Sequence, residues 1–175
     1  MKQGSAFWLT GLPGSGKTTL AMAAKAALPG LVHLQMDEMR SIVTPEPTYS
    51  DSERELLYMS LVYAAWALTR EGHDVIIDAT AHRRRWRDKA RELIPNFHEV
   101  YLKCPLELCR ERETSRRDGL APSDIYEKAK TGAPVPGVNV PYEEPVHPEL
   151  VIERDKLDSE AAAVLVEYVR KAIAG

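Results

Sequence analysis

The stretch Gly11-Leu12-Pro13-Gly14-Ser15-Gly16-Lys17-Thr18 reads G-x-x-x-x-G-K-T, and it constrains the fold more than any other feature of the sequence. This pattern is typical of a phosphate-binding loop between a strand and a helix. The apolar run Phe7-Trp8-Leu9 precedes it, and an alanine- and leucine-rich segment over 19–28 follows it. Glycines let the backbone approach an anion closely, and N–H groups at the helix N-terminus point at that anion. The sequence therefore predicts a strand, a loop and a helix that hold nucleotide phosphates.

The loop and the first helical turn form the predicted nucleotide site. The lysine can reach the outer phosphates, and the threonine hydroxyl after it can bind Mg²⁺. ATP and Mg²⁺ are therefore the expected cofactors, Thr18 is assigned to the metal, and Lys17 is also a candidate catalytic residue. The predicted nucleotide-binding residues of this segment are Gly11, Gly14, Ser15, Gly16, Lys17, Thr18 and Thr19.

Composition limits the class of protein. The chain has 175 residues, which is enough for one domain with a sizeable core. Its net charge of −3 argues against a general nucleic-acid binder, because that class needs a basic excess. No apolar stretch approaches about 18 residues, so we expect no membrane span. Cys104 and Cys109 lack histidines at metal-binding spacing, and no apolar leader follows Lys2, so we expect reduced thiols in a cytoplasmic protein.

Strand and helix patterns alternate along the chain. This alternation predicts one α/β domain over residues 1–175, a three-layer phosphate-loop fold with a parallel sheet of about five strands. The predicted strands span 6–10, 31–36, 74–78, 98–103 and 149–152. The predicted helices span 17–28, 51–70, 106–114, 124–130 and 159–173, with one more ending at residue 93. Prolines predict loops over 41–50 and 131–148, and loops as long as the second are usually functional.

Two aspartates follow predicted strands, at the sheet edge where ligands bind in open α/β folds. Asp37 comes directly after the second strand, and Asp78 ends the third. Each is a candidate for the base at an acceptor hydroxyl. We assign Asp37 to catalysis and Asp78 to the metal. A helix N-cap at Asp37 and a buried structural carboxylate at Asp78 are the alternatives.

Arginines cluster in two segments. One cluster predicts a lid over about residues 110–124, where guanidinium groups neutralise charge on a transferred phosphoryl group. It contains Arg110, Arg112, Arg116 and Arg117. We assign Arg112 and Arg116 to the nucleotide. Arg83, Arg84 and Arg85 favour an anionic acceptor, and a solvated helix start is the alternative.

Three classes of phosphate-loop protein compete. A switch GTPase needs a guanine-reading N-K-x-D, and the nearest string, Asp155-Lys156-Leu157-Asp158, lacks the asparagine. A motor or transporter ATPase needs more chain. A small-molecule kinase needs a lid with arginines and a carboxylate near the second strand, and both occur here. We therefore interpret the chain as a kinase for an anionic small molecule, with a nucleotide hydrolase or a regulatory nucleotide-binding module as the alternative.

Several stretches resemble the adenylylsulfate kinase family over nearly the whole chain. Residues 37–40, D-E-M-R, are similar to the family's D-N-V-R, and residues 49–54, Y-S-D-S-E-R, are similar to its F-S-x-x-D-R. Residues 105–109 read P-L-E-L-C, where the family has P-L-E-V-C. Residues 137–145, G-V-N-V-P-Y-E-E-P, resemble its G-I-D-D-P-Y-E-x-P.

The resemblance implies a reaction and a set of roles. Enzymes of this family move the ATP γ-phosphate onto the 3′-hydroxyl of adenosine 5′-phosphosulfate (adenylylsulfate). The resemblance makes Asp37 the acid at that hydroxyl, and the implied substrate-binding residues are Arg40, Arg54, Val135 and Gly137. Family members often dimerise, so a homodimer is one expected assembly. The apolar residues of the helix around Leu56–Leu68 cover much of its surface, so we expect that helix to be largely buried, and it fits an ordinary core equally well.

Some positions depart from the family pattern. The two phenylalanines that sandwich the substrate adenine in the family correspond to Ala79 and Val135, Gln35 replaces the first acid of D-G-D, and Leu57 replaces an asparagine. Stacking on an aromatic ring contributes roughly 1–3 kcal/mol per base, so we expect weak adenylylsulfate binding. Two interpretations follow: a divergent adenylylsulfate kinase, or a paralogue that phosphorylates another nucleotide or anionic small molecule.

We expect Lys17→Ala to abolish phosphoryl transfer, because the loop would lose the cation that reaches the outer phosphates of ATP. A coupled assay of ADP release measures this effect. An unchanged kcat would remove the loop from the mechanism.

Overall fold

The computed structural model describes residues 2–115, 125–154 and 158–175. The strands are β1 (Ala6–Thr10), β2 (Val32–Gln35), β3 (Val75–Asp78), β4 (Phe97–Lys103) and β5 (Leu150–Glu153). The helices are α1 (Lys17–Ala27), α2 (Met36–Val43), α3 (Asp51–Arg70), α4 (Arg84–Leu93), α5 (Leu106–Ser115), α6 (Ile125–Lys130) and α7 (Asp158–Ala174). The sequence predicted all of these except α2. Arg116, Arg117 and the predicted helix start at Asp124 lie outside the described residues.

The sheet is parallel and has the strand order β2-β3-β1-β4-β5. Strand β1 lies in the centre, where Leu9 is paired with Asp78 on one side and with Val100 on the other. Because all strands run the same way, the segments that follow β1, β2 and β3 emerge at one edge. The phosphate-binding loop, Asp37 and Asp78 therefore meet at this edge.

Apolar side chains cover both faces of the sheet. Trp8 points into a core formed with α3 and α4, whereas Phe7 and Leu9 point into a second core formed with α1 and α7. Successive strand residues face opposite sides, so a fully buried central strand is apolar throughout. The predicted three-layer fold is confirmed. Cys104 and Cys109 are free and buried, as expected.

Helix α2 corrects the predicted course of the chain after β2. The prolines predict a loop from Ser41, but the helix begins at Met36 and continues to Val43. Pro45 and Pro47, which suggested the loop, both lie beyond the helix end, so they leave its hydrogen bonds intact.

Helix α3 begins as predicted, because the Ser50 hydroxyl accepts a hydrogen bond from the Glu53 N–H at 3.3 Å. The helix is less buried than its apolar content suggests. Leu56 is 59% exposed and Tyr63 is 65% exposed, whereas Leu57 and Leu61 are buried in the core. Leu56 therefore belongs to the outer face, and the prediction that it is covered was wrong.

The proline-rich loop over 131–148 is anchored to the sheet edge. The Tyr142 hydroxyl lies 2.9 Å from Thr10 Oγ1, directly before the phosphate-binding loop. The Glu143 N–H donates to the His82 carbonyl at 2.8 Å. These bonds hold the loop beside the strands that carry the predicted site.

A buried ion pair supports the same region. The Arg87 guanidinium is fully buried and donates to Glu99 Oε1 at 2.6 Å. It also donates to the carbonyls of Ala81 and Glu143. Arg91 is the second cation near Glu99, at 3.4 Å. One side chain thus joins α4, β4, the segment after β3 and the proline-rich loop.

We expect Arg87→Met to destabilise the fold by about 3–5 kcal/mol, because it leaves a buried carboxylate without its closest cation. Urea denaturation measures the free energy of unfolding. Lys89→Met is the control, since the Lys89–Glu92 pair is exposed; exposed pairs contribute about 0–1 kcal/mol. Equal effects of the two substitutions would contradict the prediction.

Candidate active site

A cavity of about 620 Å³ opens at the carboxyl edge of the sheet. It brings together most of the residues predicted from the sequence: Gly14, Gly16, Lys17, Thr18, Thr19, Asp37, Arg40, Arg54, Asp78, Arg112 and Val135. Gly11 and Ser15 belong to the same loop without lining the cavity. Gly137 packs on the Leu12 side chain and lines a smaller neighbouring cavity instead. Arg116 lies outside the described residues.

The phosphate-binding loop has the backbone that its glycines allow. Gly14 and Gly16 have φ values of +78° and +91°, a region that side chains disfavour. A Cβ at Gly14 would collide with the Cys109 carbonyl. Lys17 Nζ lies over the loop and donates to the Gly11 carbonyl at 3.1 Å and to the Leu12 carbonyl at 3.0 Å. This glycine-rich loop, with the Lys17 ammonium group lying over it, fits the phosphates of ATP.

The acidic side of the cavity fits Mg²⁺. Asp78 is buried, and its Oδ2 has no hydrogen-bond partner among the described residues. That oxygen lies 3.9 Å from His33 Nε2. No group of three or more histidine, cysteine or acidic side chains that could hold a metal occurs within residues 2–115, 125–154 and 158–175. Mg²⁺ bound beside a nucleotide needs only one or two carboxylates, because phosphates and water supply the rest.

Asp37 lies in the first turn of α2 and lines the cavity. Gln35 occupies the N-cap position of this helix. The alternative in which Asp37 is the N-cap of this helix is therefore wrong.

The side of the cavity that α2 and α3 form carries two arginines. Arg54 is buried and donates to the Pro134 carbonyl at 3.2 Å. Arg40 donates to Glu53 Oε1 at 2.7 Å, and its guanidinium carbon lies 4.9 Å from the centre of the Tyr49 ring. These cations make this part of the cavity suitable for an anionic group.

His82 completes this wall as a neutral group. Burial, together with the nearby charges of Arg54 and Arg83, lowers the pKa of His82 to about 4. The imidazole is therefore uncharged at neutral pH. Its Nε2 is buried without a hydrogen-bond partner in the described part of the chain.

Arg83, Arg84 and Arg85 do not line the cavity, so the expectation that they bind the acceptor is not supported. Arg83 pairs with Asp51 at 2.7 Å, and Arg85 pairs with Glu55. Arg84 donates to the Glu144 carbonyl at 3.0 Å. The three side chains hold α3 and the proline-rich loop against the start of α4.

Sequence reasoning missed several residues of the cavity wall: Tyr49, Tyr58, His82, Lys128 and Arg154. Tyr49 has a positive φ of 56°, a conformation that clusters at functional sites. The Tyr58 hydroxyl accepts from the Ala81 N–H at 2.9 Å, and Ala81 also has a positive φ, of 43°. Only Tyr49 had a signal, because it opens the matched Y-S-D-S-E-R string.

Comparisons with known proteins identify the family. The adenylylsulphate kinase model matches residues 3–153. An adenylyl-sulfate kinase from Bacillus velezensis is 34% identical in an alignment of length 180, which covers 97% of this chain and 87% of that protein. The chain belongs to the adenylylsulfate kinase family. A probable adenylyl-sulfate kinase from Archaeoglobus fulgidus is 36% identical over 157 residues, with 86% of this chain and 96% of that protein covered.

A solved structure shows the same fold. The Mycobacterium tuberculosis APS kinase CysC, in complex with AMPPNP and APS, superposes with a TM-score of 0.82 at 27% identity. The alignment covers 97% of this chain and 99% of that one. Membership of the adenylylsulfate kinase family makes the protein an ATP-dependent kinase that transfers a phosphoryl group to a hydroxyl, with ATP and Mg²⁺ as its cofactors. None of the helices in the described part of the chain is long and apolar enough to span a bilayer.

We expect Asp37→Asn and Asp78→Asn to separate the roles of the two acids. Loss of a general base lowers kcat by about 10²- to 10⁴-fold, so Asp37→Asn should lower kcat and change the KM for ATP little. Asp78→Asn should raise the Mg²⁺ concentration that gives half the maximal rate. Steady-state kinetics over a Mg²⁺ series measure both effects.

Asp51→Asn is the control for these substitutions, because Asp51 is exposed and pairs with Arg83 outside the cavity. It should leave both quantities unchanged. If Asp37→Asn raised the KM for ATP as much as it lowered kcat, Asp37 would have a structural role.

Proposed function

We propose that this protein transfers the γ-phosphoryl group of ATP to the 3′-hydroxyl of adenylylsulfate. The observation that carries the proposal is one cavity that holds a phosphate-binding loop, Asp37, Arg40 and Arg54 together. Its relatives from Bacillus velezensis and Archaeoglobus fulgidus carry the adenylyl-sulfate kinase name, and the Mycobacterium tuberculosis structure contains APS.

The proposed reaction uses the residues as follows. Asp37 accepts the proton of the acceptor hydroxyl, whose oxygen forms a bond to the γ-phosphorus. The bond between that phosphorus and the β,γ-bridging oxygen breaks, and ADP leaves. Lys17 and Arg112, together with Arg116 of the lid, balance the negative charge on the transferred group.

Thr18 and Asp78 are the proposed Mg²⁺ residues, and the bound ion would neutralise charge on the phosphates. The strand register supports Asp78. Gln35 stands where the family pattern has an acid, and Gln35 and Asp78 are Cα partners in the ladder between β2 and β3. A carboxylate therefore stands on this row of the sheet edge, on the strand next to Gln35.

The acceptor would lie between Arg40, Arg54 and the proline-rich loop. The arginines suit the phosphosulfate group, because guanidinium groups bind oxyanions through paired N–H groups. Val135 is buried in the cavity wall and Ala79 is small, so neither offers an aromatic face. Tyr49 does offer one, since it lines the cavity and the residue is 41% exposed. Tyr49 therefore supplies one aromatic face for the adenine, although neither position of the family's phenylalanine pair does.

A coupled ADP-release assay with a panel of acceptors tests the proposal: adenylylsulfate, other nucleotides, short oligonucleotide ends and anionic sugars. Adenylylsulfate should give the highest kcat/KM. A higher value for another acceptor would favour the paralogue that phosphorylates a different small molecule. ADP release with water alone would favour a hydrolase.

We expect Tyr49→Ala to raise the KM for adenylylsulfate by about 5- to 150-fold, the loss of one stacking face, without raising the KM for ATP. Tyr63→Ala is the matched control, because that tyrosine lies on the outer face of α3. Equal KM values for Tyr49→Ala and the parent protein would remove Tyr49 from the acceptor site.

The remaining proposals concern the assembly of the protein and its location. We propose one domain over residues 1–175 that works in the cytoplasm, where its two buried thiols stay reduced. We also propose a homodimer, supported by the exposed apolar side chains of Ile42 and Leu56. Size-exclusion chromatography with light scattering tests this, and a monomeric mass at micromolar concentration would refute the dimer.

A further inference from the structure

Arg154 is a buried arginine that no sequence motif indicated. It follows β5 directly, and its backbone N–H donates to the Lys103 carbonyl at 2.8 Å. Its side chain is only 1% exposed and lies against the phosphate-binding loop at the cavity wall. A buried guanidinium needs partners to offset its desolvation, so the groups that it contacts are informative.

The contacts of Arg154 centre on one peptide of the loop. Its Nε donates to the Ser15 carbonyl at 2.9 Å, and its Nη2 pairs with the Asp158 carboxylate. Its Nη1 is buried with no hydrogen-bond partner among the described residues. A Cβ at Gly16 would lie 2.7 Å from Nη2, so the guanidinium occupies the space that a side chain there would need.

This contact decides which way a loop N–H points. The C=O of Ser15 and the N–H of Gly16 belong to one peptide, and none of the described peptides is cis. In a trans peptide the C=O and the N–H point in opposite directions. Because Arg154 holds the Ser15 carbonyl on its own side, the Gly16 N–H must point away from Arg154.

We propose that Arg154 is a positioning residue for the donor nucleotide, because it orients the Ser15–Gly16 peptide so that the Gly16 N–H faces the ATP phosphates. Glycine at position 16 makes the peptide easy to rotate, since both signs of φ are open to it. Without the guanidinium, rotation would turn a carbonyl oxygen toward the phosphates and repel them. The proposal rests only on the ATP-binding part of the proposed function.

Direct binding of ATP and of ADP, without acceptor, tests the proposal by isothermal titration calorimetry with Mg²⁺. Arg154→Met fills the space without a donor and should weaken both nucleotides about 10- to 100-fold, the effect of one hydrogen bond to a charged group. Since the loop holds ground and transition states alike, kcat at saturating ATP should fall less than about threefold.

Arg154→Gln is the conservative variant, because its side-chain nitrogen takes the position of the arginine Nε. It retains the donor to the Ser15 carbonyl and removes the charge. We expect its affinity for ATP and ADP to lie within about threefold of the parent protein, since the orienting bond remains. Arg154→Gln binding as weakly as Arg154→Met would overturn the proposal, because charge alone would then act.

Arg91→Met is the matched control, since Arg91 also pairs with carboxylates, but its partners Glu99 and Glu149 lie on β4 and directly before β5 rather than beside the loop. It should leave nucleotide affinity unchanged. Parent-like affinity in Arg154→Met would refute the proposal. An equal loss of affinity for ATP and for adenylylsulfate in Arg154→Met, accompanied by a lower Tm, would also refute the proposal. That result would indicate that Arg154 acts only in packing.

A second measurement needs no variant that could fail to fold. The Gly16 amide proton of the parent protein should shift downfield in the ¹H–¹⁵N NMR spectrum when ADP binds, because a phosphate oxygen accepts its hydrogen bond. An unmoved Gly16 resonance at saturating ADP would overturn the proposal. The calorimetric titrations with ATP and ADP and the NMR titration use no acceptor, so their failure would leave the identity of the acceptor untouched.

Discussion

The backbone segment that follows β3 is held by four separate hydrogen-bond donors, and the shape of the cavity depends on this segment. The carbonyls of residues 79–82 accept, in order, from the Trp8 indole at 3.0 Å, the Thr10 hydroxyl at 2.7 Å, the Arg87 guanidinium and the Glu143 N–H at 2.8 Å. Buried backbone groups need such partners. The donors come from the central strand, α4 and the proline-rich loop, so the same bonds that satisfy this segment also bring those elements together.

The arginines of the chain divide by what they contact. Arg87 and Arg154 are buried and hold backbone carbonyls. Arg40 lines the cavity, and Arg54 combines both features, since it lines the cavity and donates to the Pro134 carbonyl. The three consecutive arginines at the start of α4, residues 83–85, pair with acidic side chains and with a loop carbonyl outside the cavity. Arginine serves all three purposes because its planar guanidinium has five donors and stays charged when buried. A count of arginines in a segment therefore says little about which of them face a ligand.

Local patterns were sufficient to predict most of the fold. The alternation of apolar strands and amphipathic helices predicted five strands and all helices but α2, because each signal is contained within one element. Helix α2 was missed because it is short and begins directly at the end of a strand, where no separate cap residue marks it. The exposure of Leu56 was missed for a related reason: on a long apolar helix, periodicity does not say which face meets the sheet.

The candidate site was only partly predictable. Motifs, strand ends and the arginine cluster indicated the phosphate-binding loop together with Asp37, Arg40, Arg54, Asp78 and Arg112. The structure places these five side chains around one cavity with most of the loop, whereas Gly11 and Ser15 do not line it. Tyr58, His82 and Arg154 could not be found this way. Each acts across more than 20 residues of sequence, through contacts that exist only after the sheet has formed.

The sequence by itself determined the part of the protein that binds the phosphates of ATP. A G-x-x-x-x-G-K-T string between a strand and a helix carries its own backbone geometry, because glycines and a helix N-terminus suffice to bind phosphate. The tertiary structure alone decided which side chains support that loop and which line the rest of the cavity. The parallel order β2-β3-β1-β4-β5 sets Asp78 beside Gln35 and brings Arg154 under Ser15 from 139 residues away. Such contacts depend on strand order and register, which no local pattern contains.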